Sequence, residues 1–263
     1  MFEWLFGKKK IGLVLGGGVA RGIAHIGVLR ILEKAKIPIE CIAATSSGAI
    51  VGAAFAAGLE TRVIEEVALR ISWGQLLKIT FFKPGFIASE AIEEMLVQYL
   101  GDLKFSDLKI PLAVVAADLK SGEPVVIREG RVARAVAASA AVPGIFAPLE
   151  INHQFLVDGG LGNNLPVNVV KEMGANYCVA VDVVPSRPVH HLPKDAFQAY
   201  GRAFDIVMHK LSVKQRQEAD MLIEPTLEID EDIWHLDVHK AKKLIAAGEM
   251  AAQAVINRLK RLV

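Results

Sequence analysis

A serine at position 46 stands where an apolar stretch gives way to small residues, a setting typical of catalytic nucleophiles. Residues 41–52 read CIAATSSGAIVG, which predicts a buried strand that ends in a tight turn into a helix. The pattern approaches the nucleophile elbow G-x-S-x-G, with Ala44 in place of the first glycine and Gly48 as the second. This turn would lift the Ser46 hydroxyl out of the sheet and set it at the positive end of the helix. An ordinary helix N-cap is the alternative interpretation of Ser46.

A glycine-rich loop follows another apolar stretch and reads GGGVARG over residues 16–22. A P-loop would end in Gly-Lys-Ser or Gly-Lys-Thr, which this loop does not. A dinucleotide fingerprint would need glycine where Arg21 stands, and a nucleotide-binding Rossmann protein is therefore kept only as an alternative. The third interpretation is an oxyanion hole, in which Gly16, Gly17 and Gly18 present backbone N–H groups to one point. Arg21 would add a fixed positive charge beside them.

Asp158 ends a third apolar stretch and is followed by Gly159 and Gly160, which let the backbone bend sharply. By itself this pattern is also that of a turn aspartate. However, three glycine-bounded turns each follow an apolar strand, and the carboxyl ends of parallel strands lie along one edge of a sheet. We therefore expect Ser46, the glycine loop and Asp158 to meet at that edge.

Histidines and metal ligands add no competing site. A Ser–Asp–His order would require a histidine after Asp158, but none of the candidates adjoins an obvious catalytic loop signature. The histidines, which we interpret as solvated or structural, are His25, His153, His190, His191, His209, His235 and His239. No cluster of His, Cys or Asp has the spacing of metal ligands, so neither a metal nor a cofactor is predicted.

The composition excludes several classes of protein. Basic and acidic residues nearly cancel, at 30 and 29, which argues against a nucleic-acid-binding surface. Cys41 and Cys178 lie in apolar strand-like stretches, which predicts buried thiols and no disulfide framework. The longest uncharged apolar run near the front, Gly48 to Leu59, is too short to cross a bilayer.

Strands alternate with helices along the chain, which predicts one α/β domain over residues 10–263 with a mainly parallel sheet. Residues 1–9 form a separate N-terminal arm, in which aromatic residues precede Lys8, Lys9 and Lys10. The order of apolar residues and charges does not fit a signal peptide. It suits a small interfacial membrane anchor, while a packed or disordered arm is the alternative. We expect a cytoplasmic protein with peripheral contact to the inner face of the membrane.

Together the three motifs resemble those of the patatin-like phospholipases, whose relatives include cytosolic phospholipase A2 and neuropathy target esterase. The matching residues are GGGVARG at 16–22, TSSG at 45–48 and DGG at 158–160. Similar family blocks occur at residues 118–123, 138–148, 157–167 and 247–248. The resemblance covers roughly residues 10–255.

This resemblance implies a three-layer α/β/α fold and a serine acyl hydrolase that acts on lipid or other acyl esters. It makes Ser46 the nucleophile and Asp158 the general base, with no catalytic histidine and no cofactor. The glycine loop with Arg21 would form the oxyanion site. Residues that would support the motifs are Gly22, Ala44, Gly48, Gly159 and Gly160.

One residue departs from the family pattern. The methyl group of Ala44 could crowd the elbow, which would lower activity and make the chain a catalytically weak lipid-binding or regulatory protein. The apolar segment from Trp73 to Ile87, with three phenylalanines, is a candidate acyl-chain entrance or membrane-contacting rim; core packing is the alternative. Motif spacing does not specify the lipid, the acyl position or the oligomeric state.

Overall fold

The computed structural model of the chain describes residues 9–70, 89–184, 192–226 and 238–263. Residues 1–8 of the expected N-terminal arm and the segment Trp73 to Ile87 lie outside the described residues. The same holds for three of the seven histidines, namely His190, His191 and His235.

Eight strands of the described chain form one mixed sheet. The strands are β1 (Ile11–Leu15), β2 (Cys41–Thr45), β3 (Leu112–Asp118), β4 (Pro124–Ile127), β5 (Leu149–Ile151), β6 (Gln154–Asp158), β7 (Tyr177–Val181) and β8 (Met221–Ile223). Hydrogen-bonded neighbours follow one another as β5-β6-β3-β2-β1-β7-β8, and β4 also pairs with β3. Strands β3, β2, β1, β7 and β8 are parallel to one another. Strands β4 and β6 are antiparallel to β3, and β5 is antiparallel to β6.

Helices cover both faces of this sheet. The helices of the described chain are α1 (Ala24–Lys34), α2 (Ser47–Ala56), α3 (Thr61–Arg70), α4 (Glu90–Leu100), α5 (Val132–Ser139), α6 (Val167–Glu172), α7 (Ala196–Glu218) and α8 (Val238–Leu259). Helices α1, α2, α5 and α8 share one apolar core with alternate residues of the strands. Helix α6 packs on the other face against the remaining strand residues, and α7 packs against α6. The predicted three-layer α/β/α fold is thus confirmed.

The most apolar strands lie at the centre of the sheet, where helices bury both of their faces. All five residues of β1, β2 and β7 are buried, as expected of parallel strands covered by helices on both sides. Cys41 and Cys178 are buried free thiols, as predicted. No helix in the described ranges combines the length and the apolar character that crossing a bilayer requires.

Strand β6 approaches the site in a direction that differs from the expectation. In β3, Val115 pairs with both β4 and β2, and Ala116 pairs with both β4 and β6. Strands β2 and β6 therefore occupy the same edge of β3, opposite β4, one after the other. Because β6 is antiparallel to β3, its last residue, Asp158, points toward the end of β2. We expected Asp158 to end a strand parallel to β2. Instead, β6 runs toward the end of β2 from the opposite direction.

Two glycines bring α1 and α8 into backbone contact. A Cβ atom on Gly27 would lie 1.9 Å from the carbonyl oxygen of Ile245, and one on Gly248 would lie 2.0 Å from that of Ala24. Each helix thus presents its glycine to a carbonyl group of the other. Since α1 follows the glycine loop directly, this contact also fixes the position of that loop.

Candidate active site

Ser46 and Asp158 are in direct contact. The Ser46 hydroxyl donates a hydrogen bond of 2.6 Å from Oγ to Asp158 Oδ2. The second carboxylate oxygen, Oδ1, accepts a 2.8 Å hydrogen bond from the backbone N–H of Gly160. Ser46 is 4% exposed and Asp158 is fully buried. The two side chains that the sequence predicts to be nucleophile and base are therefore held together at the junction of β2 and β6.

Ser46 adopts a backbone conformation that favours glycine. Its φ of 53° and ψ of −126° lie outside the regions open to most L-residues, a strain that costs roughly 1–3 kcal/mol and is typical of functional positions. The Ser46 N–H donates to Ser139 Oγ at 2.8 Å, and Ser139 Oγ donates to the Val115 carbonyl at 2.5 Å. Ser139 therefore ties the strained turn to β3. Sequence reasoning did not single out Ser139, whose only signal is its position in the block at 138–148.

The small residues of the elbow have a steric cause. A Cβ atom on Gly48 would lie 2.3 Å from the Leu15 carbonyl oxygen, and one on Gly22 would lie 2.3 Å from Ser47 Oγ. The methyl group of Ala44 is buried in the core, and a Cβ atom built on Gly52 of α2 would lie 3.4 Å from it. The extra methyl group thus lies against Gly52, where the absence of a side chain leaves room for it.

Burial makes Asp158 a better base. Desolvation raises the pKa of its carboxyl group from 3.8 to about 6, although the hydrogen bonds from Ser46 and Gly160 act in the opposite direction. A carboxylate with a raised pKa accepts a proton more readily and is still ionised near neutral pH. The environment of Asp158 therefore suits proton abstraction from Ser46.

The glycine loop divides its N–H groups between two tasks. The Gly16 N–H donates to the Val181 carbonyl at 3.0 Å and so belongs to the sheet. The N–H groups of Gly17 and Gly18 donate to side chains, those of Asn164 (3.1 Å to Oδ1) and Ser47 (3.1 Å to Oγ). A Cβ atom on Gly17 would lie 3.0 Å from that of Ser46, so the loop passes directly beside the nucleophile. Gly17 hence holds its N–H group next to Ser46, and the Gly18 N–H binds the side chain of the following residue, Ser47.

Arg21 is buried and ion-paired. Its guanidinium group binds Asp205 of α7, and its backbone N–H donates to the Gly18 carbonyl at 3.1 Å. Neither Asp205 nor Asn164 was singled out from the sequence, because only the fold brings them to the loop. The positive charge expected beside the oxyanion site is therefore balanced by a carboxylate.

The remaining predicted residues surround the dyad. Gly159 packs so closely on β3 that a Cβ atom would lie 2.0 Å from the Val115 carbonyl oxygen, and Gly160 packs on Met208 of α7. His25 lies 2.8 Å from the Gly16 carbonyl through Nε2. Burial lowers the pKa of His25 to about 4, so the ring is neutral and Nε2–H donates to that carbonyl. His25 thus supports the loop structurally.

An apolar cavity begins at Ser46. It has a volume of about 140 Å³. From Ser46 it follows α2 past Ile50 and Ala54, and α1, α3, α4 and the loop of residues 140–146 form its other walls. In the described ranges, no group of three or more His, Cys, Asp or Glu residues is arranged to hold a metal ion.

Comparison with known proteins gives consistent results. A sequence profile described as Patatin-like phospholipase matches residues 13–171. An uncharacterised NTE family protein of Mycobacterium tuberculosis is 30% identical over an alignment that covers 97% of this chain and 48% of that protein. A lysophospholipase of Candida albicans is 31% identical over 68% of this chain and 13% of its own length. The chain thus spans about half the length, or less, of these curated relatives.

Among solved structures, VipD from Legionella pneumophila has a similar fold. The superposition has a TM-score of 0.64 and covers 95% of this chain and 67% of VipD, with 14% sequence identity. At this level of identity the likeness concerns the fold alone.

Proposed function

This chain belongs to the patatin-like phospholipase family, and from that premise we propose that it is a lipid acyl hydrolase with a Ser46–Asp158 catalytic dyad. The observation that carries this proposal is the 2.6 Å hydrogen bond between Ser46 Oγ and Asp158 Oδ2. It joins a strained serine to a buried carboxylate at the start of an apolar cavity. The family profile and the relative named as a lysophospholipase support the same reaction class.

In the first half-reaction, Asp158 accepts the Ser46 hydroxyl proton while Oγ attacks the acyl carbonyl carbon. The carbonyl oxygen becomes an oxyanion, which takes over the N–H groups of Gly17 and Gly18 from their present side-chain acceptors. One such donor contributes about 10²–10³-fold in rate, and a positioned base contributes about 10²–10⁴-fold. The tetrahedral intermediate collapses, the C–O bond to the alcohol breaks, and Asp158 returns the proton to the leaving alkoxide.

In the second half-reaction, water attacks the acyl-enzyme. Asp158 accepts a proton from the water, and the same N–H groups stabilise the second oxyanion. When this intermediate collapses, the bond from Ser46 Oγ to the acyl carbon breaks and Asp158 protonates Oγ. The products are a free fatty acid and the regenerated serine. Asp158 thus acts as base and acid in turn, without a histidine.

The cavity suits an acyl chain rather than a polar headgroup. Residues Ile50 and Ala54 lie one and two turns beyond Ser46 on α2, which spans about 12 Å at 1.5 Å per residue. Apart from Ser46, Ser47 and Tyr99, the described lining is apolar. Phospholipase A, lysophospholipase and general esterase activity are all compatible with such a cavity. The Trp73 to Ile87 segment stays a prediction as the chain entrance.

Covalent labelling tests the dyad. Wild-type protein is treated with a fluorophosphonate probe and mapped by peptide mass spectrometry, beside Ser46→Ala, Asp158→Asn and the exposed control Ser106→Ala. We expect the label on Ser46, its loss in Ser46→Ala, labelling slowed at least 10²-fold in Asp158→Asn and normal labelling in the control. A folded wild-type protein that takes no label would contradict the proposal and favour the weakly active lipid-binding alternative.

A further inference from the structure

Helix α7 contacts the glycine loop, the turn after Asp158 and the loop of residues 140–146 that lines the cavity. Asp205 on its inner face binds Arg21 of the glycine loop. Met208 packs on Gly160, next to the catalytic aspartate. Tyr200 donates a hydrogen bond through its hydroxyl group to the Pro143 carbonyl, within the loop that lines the cavity. The inner face of α7 is therefore part of the frame of the active site.

The outer face of the same helix is unusually apolar for a surface helix. Six large apolar side chains of α7 are between 36% and 43% exposed, namely Phe197, Tyr200, Ile206, Val207, Leu211 and Val213, of which Tyr200 lies where the inner and outer faces meet. At 100° per residue, Tyr200, Val207 and Leu211 form one row along the helix, and Ile206 and Val213 form a second. A surface helix normally turns polar residues outward, so two rows of exposed apolar side chains on one helix mark a binding surface.

The charged groups on this face are all basic. Lys210 and Lys214 are exposed between the two apolar rows, and Arg202 is partly exposed at the edge. From Ala196 to Gln217 the one acidic residue is Asp205, which is buried against Arg21. The next acidic residue, Glu218 in the last turn, lies 3.8 Å from Lys171 and 3.9 Å from Lys214. A helix that lies in the surface of an anionic bilayer needs large apolar side chains for the acyl region and lysines or arginines for the lipid phosphates, and α7 exposes both.

We propose that the outer face of α7 docks the protein onto a lipid bilayer that contains anionic headgroups. A second copy of the chain is a poorer occupant, because a symmetric contact would bring Lys210 and Lys214 of both copies toward each other. A bilayer instead buries the apolar rows and pairs the lysines with lipid phosphates. Docking would place the cavity loop, held by Tyr200, at the membrane surface. The functional role of this docking rests on the proposed lipid hydrolysis. Binding to vesicles can be measured whether or not the protein hydrolyses lipids.

Vesicle flotation tests the docking directly. The full chain with Ser46→Ala, which prevents turnover, is mixed with vesicles of phosphatidylcholine alone or of phosphatidylcholine with phosphatidylglycerol. We expect flotation with the anionic vesicles. Val207→Glu/Leu211→Glu should weaken it at least tenfold, and Lys210→Glu/Lys214→Glu should weaken binding to the anionic vesicles by a similar factor. The matched controls on α8, Met250→Glu and Lys242→Glu/Lys243→Glu, should float as the parent does.

Several outcomes would overturn the docking. One is that the parent protein does not float with anionic vesicles; another is that the α7 variants float as well as the α8 controls. A third is that Val207→Glu/Leu211→Glu converts a dimer into a monomer in sedimentation, which would assign the face to a second copy.

A soluble short-chain ester separates this inference from the proposed function. In the Ser46-containing background, the α7 variants should hydrolyse the short-chain ester, and take the fluorophosphonate label, at wild-type rates. Flotation without any labelling of the wild type would refute the hydrolase and leave the docking intact. Labelling of the wild type without flotation would refute the docking and leave the proposed hydrolase intact.

Discussion

Asp158 is a fully buried carboxyl group whose pKa is raised to about 6, so its ionisation links activity to stability. The proposed mechanism needs the carboxylate, so we expect kcat/KM for a soluble ester to rise with pH, with a midpoint near pH 6. Stability should follow the opposite trend. The folded state binds the proton more tightly than the unfolded chain, whose pKa is near 3.8. The stabilisation is thus complete below that pH and lost as the pH rises through about 6, about 3 kcal/mol in all.

The Asp158→Asn variant separates the two effects. It removes the ionisable group, so the fall in stability between pH 4 and 7 should be smaller by that amount while activity is lost. The measurements are urea unfolding and ester hydrolysis over the same pH range. A wild-type pH–rate profile that is flat from pH 5 to 8 would show that Asp158 is not the base.

Ser46 offers a second prediction at the scale of one residue, because its φ of 53° is strained. Ser46→Ala removes the hydroxyl group and keeps the strain, whereas Ser46→Gly removes both. Relief of roughly 1–3 kcal/mol is partly offset by the greater freedom of glycine in the unfolded chain. We therefore expect Ser46→Gly to be about 1 kcal/mol more stable than Ser46→Ala in urea unfolding. Equal stability of the two variants would argue against strain at the elbow.

At the scale of elements, the Arg21–Asp205 ion pair joins the glycine loop to α7. Asp205→Ala would leave a buried guanidinium group without its partner and should cost about 3–5 kcal/mol. The double variant Arg21→Met/Asp205→Leu should recover most of that stability, since a buried ion pair can be replaced by apolar packing. Urea unfolding checks both expectations.

The rate of the double variant tells what Arg21 does. The charge of Arg21 is already balanced by Asp205, so we expect kcat for a soluble ester to return to within about tenfold of the wild type. A stable double variant that stays 10²-fold slower in kcat, with KM unchanged, would show that the charge of Arg21 acts on the oxyanion.

The elements also show what could be predicted from the sequence. Ser46, the glycine loop and Asp158 each stand in a turn with a local chemical signature, so they could be found without the fold. Ser139 and Asn164 have no signal beyond the family blocks that contain them, and Asp205 has none, because the three act through partners 93, 147 and 184 positions away. The direction of β6 was missed for the same reason. An apolar strand that ends in Asp-Gly-Gly looks alike whether it runs parallel or antiparallel to its neighbour.

At the scale of the whole molecule, the close contact of α1 with α8 through Gly27 and Gly248 joins the last helix to the helix that follows the glycine loop. Gly248→Ala would push a methyl group against the Ala24 carbonyl. We expect a loss of at least 1–3 kcal/mol of unfolding free energy, the range of ordinary overpacking, and a parallel fall in Ser46 labelling. Gln253→Ala, an exposed change on the same helix, should alter stability by less than about 0.5 kcal/mol. Equal effects of the two changes would show that the helices can separate without harm.

Because β2 and β6 pair with the same edge of β3, β3 sets the distance between the ends of these two strands. Thr45, just before the nucleophile, lies opposite Val115, and Asp158 lies opposite Ala116. The spacing of the dyad is thus set by one peptide step of a strand that supplies no reacting atom. One residue inserted between Val115 and Ala116 would lengthen β3 by about 3.4 Å and turn the side chains that follow to the other face of the sheet. The proposed dyad therefore depends on the length of β3 as well as on the serine and the aspartate.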